Sequence, residues 1–192
     1  KYGLHYEWTS AGVLDGIVRE PSATNLVYPS VPTPAGAGSI WATPVNLTYT
    51  TGQVDPFGGT SAVKIEVTAT AVTIIRVPVV ATSTTMTGWI IGKKGSGAGH
   101  MNNFAFYNNT ADALIYSVNI DWNALTTSGT LGTGTTTLTE LGGGWILVEM
   151  AVSTGITVGN TISFYPGALG LSEGAGEFSI IAHVQVEPGN KA

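Results

Sequence analysis

Apolar and polar residues alternate with a period of two along most of the chain. In the segment SAVKIEVT at 61–68, Val63, Ile65 and Val67 fall on one side of an extended backbone. This period is typical of a β-strand with one buried face, whereas an amphipathic helix repeats every 3.6 residues. The same pattern predicts further strands at 72–80, 87–93, 102–108, 113–120, 135–141, 145–152, 161–165 and 177–186.

Glycine-rich turns separate these strands. The segments PFGG at 56–59, GSGAG at 95–99, GGG at 142–144 and GAG at 174–176 all favour reversal of the chain. Short strands at intervals of roughly 10 to 15 residues, joined by such turns, are typical of an antiparallel sandwich. We therefore predict an all-β fold, an antiparallel two-sheet β-sandwich of jelly-roll type.

The beginning of the chain lacks this alternation. Residues 12–24 have no regular apolar pattern, and PSVPTPAGAG at 29–38 has the composition of an extended linker. We therefore predict an extended N-terminal arm or linker at residues 1–38 and a sandwich domain at residues 39–192. Because the arm lacks the alternation that would stabilise it, we expect it to be ordered against a partner subunit or another protein.

Few of the polar residues are charged. The 192 residues include 7 Lys and Arg against 12 Asp and Glu, which gives a formal net charge of −5. A surface with so few cationic side chains binds the phosphate backbone of a nucleic acid poorly, so we expect no nucleic-acid partner. The longest apolar run is about half the length of a membrane span, so we expect no membrane partner. The chain has no Cys, which excludes disulfides and thiolate metal sites.

No residue pattern indicates catalysis or a bound cofactor. Hydrolysis of a glycosidic bond needs two carboxylates about 5 to 10 Å apart, and no pattern pairs Asp121 or Glu149 with a second acid. The three histidines lack the short spacing of a zinc site. We therefore expect a non-catalytic protein without a cofactor. A structural Ca²⁺ would be compatible with a jelly roll, but no loop spacing demands one.

Several short motifs resemble, in order, those of bacteriophage tail-fibre and virion proteins. The segment GIVREPSATNL at 16–26 looks like that family's GLLIEEARTNLL signature, and Trp41 follows where the family has a tryptophan. Later matches are PFGGTSAVKI at 56–65, KKGSG at 93–97, LGGGW at 141–145 and QVEPG at 185–189. The resemblance covers nearly the whole chain and implies a carbohydrate-binding-module-like β-sandwich. It also implies that the upstream half of the family's sequence precedes Lys1.

The resemblance further implies a non-catalytic virion domain, on a tail fibre or a capsid, that adheres to a bacterial surface glycan. It implies a location on the virion surface, other virion proteins as partners and a homotrimer. Two alternatives are open: an ancillary carbohydrate-binding module of a secreted polysaccharide-degrading enzyme, or a purely structural virion assembly or decoration domain. A sugar-binding screen distinguishes the purely structural domain from the two glycan-binding hypotheses. The solution mass distinguishes the ancillary enzyme module, which is expected to be a monomer, from the trimeric virion domain.

Strand alternation separates core residues from candidate binding residues. In the segment at 145–152 the purely apolar set begins with Ile146, which leaves Trp145 and Glu149 on the other face. Phe104 and Phe106 point inward for the same reason. In the last strand the alternation directs Ala182, Val184 and Val186 inward.

The outward set combines aromatic rings, which suit the apolar faces of sugars, with polar groups that suit their hydroxyls. The predicted glycan-binding residues are Trp89, Asn103, Tyr107, Trp145, Glu149, His183 and Gln185. Trp89 and Tyr107 lie on successive strands, so we expect these two rings to be neighbours. Trp41 and Trp122 are the next candidates.

Overall fold

The computed structural model describes residues 3–8, 14–20, 25–27, 32, 41–69, 72–95, 103–167, 169–172 and 174–189. These residues form fifteen β-strands, and none of them lies in a helix long and apolar enough to cross a membrane. The first eight strands are β1 Gly3–Trp8, β2 Leu14–Glu20, β3 Leu47–Gln53, β4 Ala62–Val67, β5 Val72–Ile74, β6 Val77–Val80, β7 Met86–Lys94 and β8 Asn103–Asn108. The others are β9 Ala113–Asp121, β10 Thr126–Gly132, β11 Thr135–Gly142, β12 Trp145–Val152, β13 Thr161–Tyr165, β14 Leu169–Ser172 and β15 Phe178–Pro188.

Two antiparallel sheets contain most of these strands. The five-stranded sheet has the order β10-β9-β8-β13-β6, and the six-stranded sheet has the order β11-β12-β7-β15-β4-β3. Two small antiparallel sheets pair β1 with β2 and β5 with β14. Neighbours such as β7 and β15 are distant in sequence, so the chain crosses repeatedly between the sheets, as in a jelly roll. The predicted all-β, two-sheet antiparallel sandwich is confirmed.

The two large sheets enclose one apolar core. Phe106 of β8 and Phe164 of β13 pack with ring centroids 5.0 Å apart, and both side chains are fully buried. They lie against β7 at Gly88, where an added Cβ would be 2.8 Å from both rings. Burial of a large apolar side chain contributes about 1.5 to 3 kcal/mol, so these contacts fix the face that each strand turns inward. As predicted, Ile146 and the alternate residues that follow it on β12 belong to this core.

The segment predicted as one strand at 72–80 is divided between two sheets. β5 pairs with β14, whereas β6 pairs with β13 at the edge of the five-stranded sheet. Between them Ile75 is fully buried in the core, and Arg76 Nη1 lies 3.4 Å from the hydroxyl oxygen of Tyr165. An apolar run in the sequence predicts an extended chain, but it does not show where the chain passes from one sheet to another.

Five strands were not predicted, and two of them are polar strands at sheet edges. β3 has the sequence LTYTTGQ and β10 has the sequence TTSGTLG, and all seven residues of β10 are exposed. An edge strand with little buried surface has no apolar alternation, so the pattern gives no signal there. The others are β14 and the two strands of the β1–β2 hairpin, which lies within the segment predicted as an unpatterned arm.

Part of the predicted arm joins the sandwich. The N–H of Leu26 donates to the carbonyl of Val186 on β15 at 2.7 Å, and Val27 is 2% exposed within the core. Trp41, close to the predicted boundary, is also 2% exposed in the same core. Much of the segment 1–38 lies outside the described residues, so its ordering against a partner stays a prediction.

The last strand departs from the predicted alternation at one position. β15 carries an irregularity between Ile181 and His183, where it pairs with β7. Because of this bulge, Ile181 enters the core, and Ala182, predicted to point inward, belongs to a second cluster on the opposite face. Val184 and Val186 point into the core as predicted.

Candidate functional site

The seven predicted binding residues lie on two different sheets. Asn103 and Tyr107 belong to β8 of the five-stranded sheet, and the other five belong to β7, β12 and β15 of the six-stranded sheet. Trp89 and Tyr107 are therefore on the outward faces of opposite sheets, and the expectation that they are neighbours is wrong. The chain changes sheets between β7 and β8, which strand alternation does not reveal.

Five predicted residues do come together on the outer face of the six-stranded sheet. Trp89 pairs across the strands with Glu149 on one side and with Gln185 on the other. The imidazole of His183 stacks on the indole of Trp89, with centroids 5.0 Å apart and an interplanar angle of 22°. Trp145 lies near the end of the same face, and the ammonium of Lys93 is 5.9 Å from its ring centroid.

This group is closed rather than open. Trp89 is 6% exposed and Trp145 is 7% exposed, and both belong to an apolar cluster with Ile91, Leu141 and Ala182. An indole covered to this extent offers little surface to a sugar ring. Trp89 and Trp145, which alternation placed outside the main core, thus belong to a second, smaller core.

The histidine in this group is held in its neutral form. Burial lowers the pKa of His183 below its ordinary value of 6.5, and a hydrogen bond with the side chain of Gln185 opposes this only in part. The ring therefore packs on Trp89 as an uncharged aromatic at neutral pH.

The outer face of the five-stranded sheet has a different character, because hydrogen-bonding side chains cross it. At one end the Asn103 amide nitrogen donates to Asn119 Oδ1 at 2.8 Å. At the other end Asn109 Nδ2 donates to Ser163 Oγ at 2.7 Å. Between them Ala105 and Tyr165 are buried, and β14 lies against β8.

One row of side chains is partly accessible on this face, and we call it the Tyr107 platform. Strand pairing places Leu114, Tyr107, Ser163 and Pro78 side by side on β9, β8, β13 and β6. Leu114 is 38% exposed and Tyr107 is half-buried, whereas Ser163 is buried beneath Asn109. Neighbouring strands lie about 4.8 Å apart, so the row spans about 14 Å.

The phenol of Tyr107 is fixed in place by a carboxylate. Its hydroxyl donates to Asp112 Oδ1 at 2.5 Å, and this hydrogen bond, with a smaller effect of desolvation, raises the pKa of Tyr107. Asp112 is exposed and adopts a positive φ of 52° in the turn between β8 and β9. The platform thus combines an oriented ring with a carboxylate whose second oxygen accepts no hydrogen bond from the described residues.

A separate concavity, which we call the end cleft, opens where three strand ends meet. It has a volume of about 250 Å³ and is lined by Lys93, Lys94, Trp122, Asn123, Leu125, Glu140, Gly144 and Ile146. Lys94 Nζ donates to Asn123 Oδ1 at 3.0 Å, which joins the end of β7 to the turn after β9 and so connects the two sheets. Trp122 is half-buried there, and its ring centroid is 6.1 Å from that of Phe104.

Sequence reasoning found some of these residues and missed others. It selected Tyr107 for the site and named Trp122 as a further candidate, because both are aromatic. It did not select Leu114, Pro78 or Glu140, whose roles depend on which strand lies beside which. In the described part of the chain, no group of three or more His, Asp or Glu side chains is arranged to hold a metal ion.

Comparison with known proteins gives a likeness of fold alone. No protein-family model matches the chain, and no curated protein matches it. The CBM22-1 xylan-binding domain of Paenibacillus barcinonensis Xyn10C is 8% identical, with 82% of this chain and 91% of that domain covered at a TM-score of 0.47.

A second similar structure is that of the CBM22-1–GH10 modules of Clostridium thermocellum endo-1,4-β-D-xylanase 10B, complexed with xylohexaose. It is 11% identical, with 80% of this chain covered at a TM-score of 0.43, and this chain spans only 26% of that one. Both likenesses lie below a TM-score of 0.5 and indicate nothing about a ligand for this chain.

Proposed function

We propose that the protein is a non-catalytic glycan-binding β-sandwich and that the Tyr107 platform carries the glycan. The observation that supports this is the row in which Leu114, Tyr107 and Pro78 are exposed or partly exposed, with the Asp112 carboxylate beside the ring. A sugar chain presents apolar C–H faces and hydroxyl groups in alternation. Such a chain matches an aromatic and aliphatic surface bordered by a carboxylate and an amide.

The open shape of the platform favours an extended polymer over an isolated small molecule. The row crosses four strands and has no enclosing walls at Leu114, which is an exposed residue. A shallow surface of this kind gives weak binding at a single site, and a polymer or several copies of the protein compensate by avidity. Because the Tyr107 ring is already held in one orientation, less side-chain conformational entropy is lost when a ligand binds.

Replacement of Tyr107 by Ala tests the proposal. We expect Tyr107→Ala to weaken retention on polysaccharide gels about tenfold, because loss of about 1.4 kcal/mol of contact free energy has that effect. Tyr107→Phe keeps the ring and loses only the hydrogen bond to Asp112, so it should retain most of the binding. The measurement is affinity electrophoresis against a panel of bacterial surface polysaccharides and plant glycans.

Val54→Ala provides the matched control, because Val54 is 69% exposed and lies on the connection from β3 to β4. It should leave retention unchanged, and melting temperatures should show that all three variants are folded. Unchanged retention of a folded Tyr107→Ala variant would contradict the platform. Failure of the wild-type protein to bind any polysaccharide would contradict glycan binding itself and favour a structural assembly domain.

The setting we propose for this domain is the surface of a bacteriophage virion, with a bacterial surface glycan and other virion proteins as partners. The proposal of a virion setting rests on the resemblance of the sequence motifs, and so does the proposal of a homotrimer. An ancillary module of a polysaccharide-degrading enzyme is the other setting consistent with glycan binding. Light scattering distinguishes them: the virion domain should have three times the chain mass of 19.8 kDa, and a monomer at all concentrations contradicts the trimer.

A further inference from the structure

The end cleft lies apart from the Tyr107 platform, and β9 is the one strand that reaches both of them among the described residues, at its opposite ends. Lys94 ends β7, Asn123 follows β9, and Glu140 is near the end of β11, whereas the platform lies on the strands β9, β8, β13 and β6. Leu114 is near the start of β9 and Asp121 is at its end, seven residues further along the strand. A strand rises about 3.3 Å per residue, so the two regions are about 20 Å apart along the sheet.

The base of the end cleft is apolar. Ile146 is 4% exposed, and Leu125 and Trp122 pack against the main core from the other side. Leu125 adopts a positive φ of 52°, an unfavourable conformation for this residue, in a turn held by Asp121. The Asp121 carboxylate accepts the N–H groups of Asn123 and Ala124, and these bonds lower its pKa. These two hydrogen bonds hold the turn where it forms the wall.

The rim of the end cleft carries two cations, Lys93 and Lys94, one anion and one amide. Lys94 uses one of its three donors on Asn123, and two donors remain. Glu140 is exposed and has no hydrogen-bond or ion-pair partner among the described side chains. An anionic ligand would meet the Glu140 carboxylate, and a cationic one would meet the ammonium groups of both Lys93 and Lys94. A neutral ligand with several hydroxyl groups can use both, because a hydroxyl both donates and accepts.

We propose that the end cleft is a second saccharide site, which binds one or two units of a neutral sugar. Its volume of about 250 Å³ is just below the range of roughly 300 to 1,000 Å³ that is usual for larger ligands. Lys94 donates to a sugar hydroxyl, Glu140 accepts from another, and the apolar base contacts the ring. The ligand class is that of the proposed function, but the site is independent, so each can fail without the other.

The test uses the full chain and follows the indole N–H signal of Trp122 by ¹H–¹⁵N correlation NMR. Trp122→Phe identifies this signal among those of the five tryptophans. The probes are the neutral monosaccharides glucose, galactose, xylose and N-acetylglucosamine, together with the anionic glucuronate and the cationic glucosamine. We expect a saturable shift with at least one neutral sugar and at least threefold weaker binding of both charged sugars.

Two substitutions in the rim and two elsewhere complete the test. Lys94→Met and Glu140→Gln should each weaken the neutral sugar at least fivefold. Lys64→Met, which removes a lysine paired with Glu66 on β4, should leave the affinity unchanged, as should Tyr107→Ala. Melting temperatures verify that each variant is folded.

Three outcomes would overturn the second site. These are the absence of a saturable shift with every sugar, tighter binding of a charged sugar than of every neutral one, or loss of the shift in Tyr107→Ala. None of them bears on retention of polysaccharide by the platform, which the gel experiment measures separately.

Discussion

His183 illustrates how its surroundings determine the charge of a single residue. In the sequence it is a polar residue on the outward side of the last strand. In the fold it stacks on Trp89 beside Gln185, which is 8% exposed. Because burial disfavours the protonated ring, folding lowers the pKa of His183 below 6.5.

This shift predicts how stability changes with pH. The unfolded chain binds a proton more readily than the folded protein, so His183 should destabilise the fold as the pH falls below about 6.5 and through the lower folded pKa. His183→Asn cannot take up this proton, so its free energy of unfolding should vary less between pH 7 and pH 5. Urea denaturation of both proteins at several pH values measures the difference, and parallel profiles would contradict the prediction.

At the scale of an element, the turn between β3 and β4 depends on one carboxylate. Asp55 Oδ1 accepts the N–H groups of Phe57 and Gly59, each at 2.9 Å. Its Oδ2 accepts both the N–H and the hydroxyl of Ser61, at 3.0 and 2.7 Å. Burial by itself would raise the pKa of Asp55, but these hydrogen bonds outweigh it and lower the pKa below 3.8.

Loss of this carboxylate should destabilise the whole sheet edge. Asp55→Ala leaves three backbone N–H groups without their acceptor, and we expect a loss of about 1 to 3 kcal/mol in the free energy of unfolding. Asp55→Asn keeps a neutral acceptor and should lose less. Because the folded pKa is lowered, the contribution of Asp55 is present above pH 3.8 and is lost as the pH falls below it.

Urea denaturation at pH 7 and at pH 3 measures this contribution. The difference between the wild type and Asp55→Asn should shrink at the lower pH. An Asp55→Ala variant as stable as the wild type would show that the turn does not need the carboxylate.

At the scale of the whole molecule, residues 25–27, which precede the predicted sandwich domain in sequence, pack against its core. Asn25 Oδ1 accepts the N–H of Val186 at 3.2 Å, and Leu26 donates to the carbonyl of the same residue. These two bonds hold residues 25–27 against β15, and Val27 enters the main core. The boundary of the folded unit thus differs, at these residues, from the boundary suggested by composition.

Val27→Ala distinguishes a core position from an arm that is ordered only by a partner. We expect a loss of about 1 to 3 kcal/mol in the free energy of unfolding, because the change removes buried methyl groups and leaves a cavity. The exposed Val54→Ala should cost less than about 0.5 kcal/mol. Urea denaturation at two protein concentrations measures both, and equal, small effects would contradict a core role for Val27.

Much of the fold follows from the sequence because strand alternation is local. The face assignments of Phe104, Phe106 and Ile146 needed only the period of two and the tendency of apolar side chains to leave water. The same reasoning failed at Ala182, where a bulge shifts the alternation by one residue. It also failed for β10, a polar strand whose pairing comes from its neighbour β9 rather than from burial of its own side chains.

The sequence by itself determined the all-β class, most of the strands and the composition of the candidate surfaces. Only the tertiary structure decided that Trp89 lies in a closed cluster, that Tyr107 shares an exposed row with Leu114, and that Lys94 and Glu140 line one cleft. The physical reason is that side-chain direction depends on adjacent residues along a strand. Which side chains are accessible, and which residues lie beside them, depends on strand order. Strand order is set by packing between segments far apart in the chain.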